Sequence, residues 1–232
     1  FLSLIILIYL GDIMIKIYGL KVSNFSSMVR FALMEKNIEF EWIETFPFSM
    51  SGDKTILDKS TNGAVPILEY DGQFISETLA IMSFLEKKFP EIKLISDDPL
   101  EHAKTIEIIK ILEIYIETSA RNFYPFVYFG GEKKEDNLDQ IKETINRGLS
   151  ILEKKASLSP FMVSKFSYAD IFASMSLFPA KAVCEKVYSW NIFDDYKKLG
   201  KSVESINSRE AAKIIYSDIE KGMEQIQKSM NK

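Results

Sequence analysis

The segment Asn62–Phe89, NGAVPILEYDGQFISETLAIMSFLEKKF, carries three signals in succession. Gly63-Ala64-Val65-Pro66 is a turn that runs straight into a short apolar run, Ile67 to Tyr70. Asp71-Gly72 then supplies the strongest two-residue hairpin signal, so two short antiparallel strands meet there. The second strand, Gln73 to Ile75, is followed by Ser76, a good N-cap residue. Glu77 and Thr78 fall in the first turn of a helix whose Leu79, Met82, Leu85 and Phe89 recur at three- and four-residue spacing.

This order of elements has a chemical consequence. The first turn of a helix presents unpaired N–H groups and a partial positive charge, so Thr78 with its hydroxyl is placed to hold a small anion such as a carboxylate. Glu77 beside it offers a carboxylate to an ammonium. A proline before a strand cannot donate to the ladder. If its bond is cis, it turns the Val65 backbone outward, where an extended peptide can pair with it as an added strand. The same residues also suit a plain structural role, with Pro66 opening a strand and Ser76 capping a helix.

Val65-Pro66, the hairpin and Glu77-Thr78-Leu79-Ala80-Ile81 together resemble the glutathione-binding half of the cytosolic glutathione transferase family, of a serine-using, bacterial-like kind. The resemblance implies that Val65 pairs with the cysteinyl unit of glutathione beside cis-Pro66, and that Glu77 and Thr78 hold the γ-glutamyl end. Thr78 stands where serine is usual and keeps the hydroxyl. Ala64 departs from the pattern, because the family often has a lysine there for the glycyl carboxylate; Lys54 and Lys59 are the nearby cations.

Upstream, residues 1–10 form an apolar run with no basic leader and no small-residue cleavage site, too short to span a bilayer. Residues 1–13 are therefore expected to lie outside the fold, with Met14 as the start. Ile15 to Tyr18 reads as a strand, Phe25 to Lys36 as a helix and Phe40 to Glu44 as a second strand, which implies a parallel pair with a right-handed crossover. With the hairpin this makes four strands and about three helices. The resemblance implies a thioredoxin-like α/β domain over 14–90, a linker at 91–99 that follows Pro90 and ends on Pro99, and an all-helical domain over 100–232.

The helical half shows apolar stripes at Ile106, Ile109, Leu112 and Ile116, at Leu138, Ile141, Ile145, Leu149 and Leu152, and at Ile215, Ile219, Met223 and Ile226. Ser167 and Asp170 form a capping box, with Phe166 and Ile171 placed as its hydrophobic staple. The helix that follows is apolar nearly all round, so it is expected at the centre until Pro179 kinks or ends it. Asp170 is thereby read as a folding residue. The lone Cys184 excludes an internal disulfide framework and reads as a small buried hydrophobe in a protein of a reducing, cytoplasmic compartment.

Nearly half of the 232 residues are hydrophobic, enough for packed cores, and the net charge of −4 gives a nucleic-acid partner no support. His102, the only histidine, has no Ser, Cys or metal-ligand partner nearby in sequence, which argues against a triad or a metal site.

An enzyme that conjugates a thiol must make the thiolate abundant at neutral pH, and a free thiol has a pKa near 8.5. A hydroxyl donor beside a helix N-terminus stabilises that anion. Ser23-Asn24-Phe25-Ser26-Ser27-Met28-Val29-Arg30 lies between the first strand and its helix and resembles the family's serine and cysteine classes, with Arg30 seven residues after Ser23. This implies Ser23 as the catalytic hydroxyl. By sequence alone a capping role for Ser23 or Ser26 and nothing more fits equally well, and Tyr18 is the competing donor. Tyr115, Phe123 and Tyr124 lie where the family draws its second-substrate pocket, although aromatic residues there also suit a core.

The implied function is attack of glutathione thiolate on an electrophilic small molecule by a homodimeric enzyme. Ala80, Ile81 and Phe84 form a second apolar set on their helix that the helical domain or a partner subunit would cover, and the resemblance implies a two-fold homodimer. The alternatives are a glutathione-dependent isomerase of the zeta kind and a non-catalytic relative that binds a protein partner.

Overall fold

The computed structural model describes residues 14–230; the expected leader, residues 1–13, lies outside the described residues. The chain divides after Lys88 into an α/β unit and a helical unit, the fold class expected from the sequence.

The first unit is a four-stranded sheet in the order β2-β1-β3-β4. Strand β1 (Ile15–Gly19) pairs in parallel with β2 (Phe40–Glu44), and helix α1 (Asn24–Glu35) is the crossover between them. Strand β3 (Ile67–Tyr70) pairs antiparallel with both β1 and β4 (Gln73–Ser76). Asp71 and Gly72 join β3 to β4 with φ of 50° and 70°, the left-handed pair that a type I′ turn requires. Between β2 and β3 the chain makes a four-residue helix, Phe48–Ser51, and a 3₁₀ turn, Lys54–Asp58.

The core of this unit follows the pattern of apolar residues. Ile15 and Ile17 of β1, Ile67 and Leu68 of β3, and Met28, Val29, Phe31, Ala32 and Leu33 of α1 are buried. Helix α2 (Thr78–Lys88) packs beside α1 and buries Ile81, Met82 and Leu85. Ile81 is therefore a core residue rather than part of a second apolar face, while Leu79 is only half-buried. Phe84 is half-buried against Tyr70, ring centroids 5.3 Å apart. An ion pair ties the two helices: Lys36 Nζ lies 2.9 Å from Glu86 Oε2, both side chains nearly or fully out of solvent.

The helical unit begins with α3 (Pro99–Ile111), capped by Asp98, whose carboxylate accepts the N–H groups of Leu100 and Glu101. The helix widens into a π segment, Leu112–Glu117, before a last turn at Thr118–Arg121. Its buried set is Ile108, Ile109, Leu112 and Ile116, with Ile106 half-buried. Helix α4 (Leu138–Lys155) buries Ile145, Leu149 and Leu152, while Leu138 and Ile141 in its first turns are half-buried. A Cβ on Gly148 would lie 2.7 Å from Tyr115 Cβ, so this glycine permits the close approach of α4 to the π segment.

Helix α5 (Tyr168–Tyr188) is central and buried over most of its length. Pro179 sits inside it and does not end it, because neighbouring packing outweighs the one missing N–H. The capping box is present: Asp170 accepts hydrogen bonds from Ser167 N–H at 2.8 Å, Ser167 O–H at 2.9 Å and Met162 N–H at 2.8 Å. Cys184 is buried, and burial pushes its thiol up to about 12. Helices α6 (Lys197–Asn207) and α7 (Glu210–Met230) complete the unit, with Ile215 buried and Ile219, Met223 and Ile226 half-buried on one face of α7. Among the described residues no helix is long and apolar enough to cross a membrane.

Candidate functional site

Strand register gathers three separate segments at one end of the sheet. Tyr18, next to last in β1, pairs with Ile67, the first residue of β3. The end of β1, which leads to Ser23, therefore lies beside Val65-Pro66. Ile67 pairs on its other side with Ser76, the last residue of β4, so Glu77 and Thr78 leave the sheet at that same end.

Ser23 is the N-cap of α1, with extended backbone, and its Oγ accepts the Ser26 N–H at 3.3 Å. Its own N–H donates to Leu20 O and its carbonyl accepts the Ser27 N–H. Capping uses a lone pair of the hydroxyl and leaves its hydrogen free to donate, so the cap role and the thiolate role are compatible. Because the side chain is half-buried at the positive end of a twelve-residue helix, an anion placed there gains from the helix dipole as well. Ser26, by contrast, is fully buried.

Tyr18 is committed elsewhere. Its hydroxyl donates to Glu69 Oε2 at 2.6 Å, and burial together with that carboxylate pushes its pKa up to about 12. Lys59 is turned to the same face of the sheet, with its ammonium 5.6 Å from the ring centroids of both Tyr18 and Phe74. Lys54 is exposed at the start of the 3₁₀ turn, and Ala64 is exposed.

The Val65-Pro66 bond is cis. Val65 is half-buried, and among the described residues neither of its backbone groups has a hydrogen-bond partner. Glu77 is exposed with φ of 71°, an uncommon conformation for a residue with a side chain. Its carbonyl accepts the Ile81 N–H at 2.9 Å, so Glu77 and not Ser76 takes the capping position, and Ser76 remains in the strand. The reason is the ladder: Ser76 is held by its pairing with Ile67. Thr78 is the first helical residue and is buried.

Asn62 joins the site without a catalytic signal in its residue type. Its Oδ1 accepts the Ala64 N–H at 2.9 Å and the Ser60 O–H at 2.6 Å, while its Nδ2 donates to Glu77 Oε1 at 2.9 Å. The bond to the N–H two residues on is an Asx turn, a local signal that asparagine before glycine carries in sequence; the bond to Glu77 spans fifteen positions and has no such signal.

The three aromatic residues expected in a second-substrate pocket do not share one environment. Phe123 is fully buried, with its ring 6.0 Å from that of Tyr188; it is a core residue, because its side chain has no exposed surface to offer a substrate. Tyr115 is half-buried against α4, with the Arg147 guanidinium 5.7 Å from its ring. Tyr124 is half-buried, donates to Glu117 Oε1 at 3.3 Å and lies under the Arg121 guanidinium. Glu117 is buried in the π segment and paired with Arg121, and burial raises the Tyr124 pKa well above its ordinary value.

Residues 17–93 match the model of the glutathione S-transferase N-terminal domain. Over 184 residues the chain is 32% identical to a glutathione S-transferase of Pseudomonas putida, covering 79% of this chain and 82% of that one. It is 30% identical over 153 residues to "probable maleylacetoacetate isomerase 2" of Drosophila melanogaster, covering 64% and 65%. Among solved structures, a tau-class glutathione S-transferase from mango superposes with a TM-score of 0.75 over 92% of this chain and 97% of that one, at 19% identity.

Proposed function

Because the chain belongs to the glutathione S-transferase family, whose members use glutathione as cosubstrate, we propose that it binds glutathione at the end of the sheet and directs its thiolate at an electrophilic small molecule. The observation that carries this reading is the convergence of Ser23, Val65 and Thr78 through the register of β1, β3 and β4. Val65 pairs with the cysteinyl backbone of the tripeptide, beside Pro66. Glu77 takes the γ-glutamyl ammonium, and Thr78, with the first N–H groups of α2, takes its carboxylate. Ser23 donates to the sulfur. Lowering a thiol pKa by two units corresponds to about 2.7 kcal/mol, a magnitude within reach of a hydroxyl donor combined with a helix N-terminus.

Within the helical unit, Tyr115 and Tyr124 offer half-buried aromatic surface. A two-fold homodimer belongs to the same reading, supported by the exposed Ala80 and the half-buried Phe84 on α2; light scattering that gave a monomer mass across micromolar concentrations would remove it. A cytoplasmic setting fits the single buried cysteine. The test of the activity is turnover of an aromatic halide with glutathione, alongside binding of glutathione by calorimetry. Isomerisation of a maleyl compound is the second reading, favoured by the Drosophila relative. Binding without turnover of either substrate class, together with a stable protein partner, would point to a non-catalytic role.

A further inference from the structure

We propose that Asn62 is a positioning residue for glutathione, held by its own loop and setting the Glu77 carboxylate for the γ-glutamyl ammonium. This rests on the glutathione reading of the site. The side chain uses both ends at once. Its carbonyl oxygen holds the loop through the Ala64 N–H and the Ser60 hydroxyl, and its amide nitrogen holds Glu77 Oε1.

The loop itself leaves little freedom. Ser60 N–H donates to Ile56 O, Gly63 N–H donates to Ser60 O, and Gly63 O accepts the Phe48 N–H, each at 2.8 Å. Asn62 is therefore a fixed donor. Glu77, by contrast, is exposed and stands in the left-handed region at the head of α2. A free glutamate there would sample several rotamers, and ordering a long side chain on binding has an entropic cost. With Oε1 held by Asn62, the other oxygen, Oε2, remains to accept the ammonium, and the carboxylate is already oriented when glutathione arrives. Asn62 thus ties the residue that reads the amino end of the tripeptide to a loop that its own backbone bonds fix.

The experiment is a calorimetric binding cycle on the full chain with two probes, glutathione and glutaryl-cysteinylglycine, which lacks the γ-glutamyl ammonium. Asn62→Ala is expected to weaken glutathione binding about tenfold and to change binding of the deamino probe less than about twofold. In the Glu77→Ala background, Asn62→Ala is expected to cost nothing further for glutathione. Equal losses for both probes, or an equal loss with and without Glu77, would reduce Asn62 to a loop residue and overturn the proposal; so would undiminished glutathione binding. If the unmodified protein binds the deamino probe and glutathione equally, the role of Glu77 fails with it. If it binds neither, the glutathione reading itself fails.

Discussion

The Tyr18 hydroxyl donates to Glu69 Oε2 at 2.6 Å across the β1–β3 pair. That bond supports the proposal that Ser23, rather than Tyr18, donates to the sulfur. A phenol held on a carboxylate, with its pKa pushed up to about 12, has its proton engaged, whereas the Ser23 hydroxyl uses its oxygen for the cap and keeps its hydrogen.

The first expectation follows directly. With glutathione bound, Ser23→Ala raises the thiol pKa by about one to two units and lowers turnover, while binding changes little because Val65, Glu77 and Thr78 hold the peptide. Tyr18→Phe leaves the titration in place. Thiolate absorbance against pH on the three proteins reads this, and a shift in Tyr18→Phe alone would transfer the role to the tyrosine.

Thr78 stands at the first helical position, buried and at the positive end of α2. Thr78→Ala is expected to weaken glutathione binding by about tenfold through loss of a hydrogen bond to a charged group, with the bound thiol pKa nearly unmoved. Thr78→Ser should restore most of the affinity. A pKa shift larger than the affinity loss would place Thr78 near the sulfur.

The Lys36–Glu86 pair predicts a stability effect with no catalytic counterpart. Its two charges are 2.9 Å apart, with side-chain exposures of 0% and 9%. Glu86→Ala removes the 2.9 Å partner of a buried ammonium and should cost about 3–5 kcal/mol in urea unfolding, while replacing both residues with apolar ones of similar size should recover most of it. A loss below about 1 kcal/mol would mean that water or other groups hold the lysine.

Asp170 gives a pH signature. Burial raises its folded pKa from 3.8 to about 6 despite three hydrogen bonds to the carboxyl group. The folded state thus holds a proton that the unfolded state releases, and over the window from about 4 to 6 this group's contribution to stability falls as pH rises, levelling off above it. Asp53 and Glu101, both held low, act in the opposite direction. The difference between wild type and Asp170→Ala isolates the slope. The substitution should also cost about 3 kcal/mol by stranding buried donors, with glutathione affinity unchanged. A flat difference between pH 4 and 6 would show that the carboxylate stays ionised in the fold.

Much of the architecture is local and therefore legible. Asp71-Gly72 specifies its turn because glycine and aspartate tolerate positive φ, and β1, α1, β2 and the hairpin follow from alternation and helical spacing. The capping box at Ser167 and Asp170 depends on residues three apart. These signals are short-range, and chain order alone then makes the sheet topology nearly unavoidable.

The misreadings have a different cause. Ser76 is an excellent cap by type, yet a strand ladder holds it and passes the capping position to Glu77. Ile81 reads as part of an outer face until α1 is seen packed beside α2, and Phe123 reads as a pocket residue until Tyr188 closes over it. The sequence by itself determined the elements and their order, because propensity, turn chemistry and periodicity act over a few residues, while the residues of the proposed site came from the family resemblance of its motifs. Only the tertiary structure decided that Tyr18 is tied to Glu69 and that Asn62 reaches Glu77, because hydrogen bonds between residues 51 and 15 positions apart depend on strand register and loop closure, which no local pattern records.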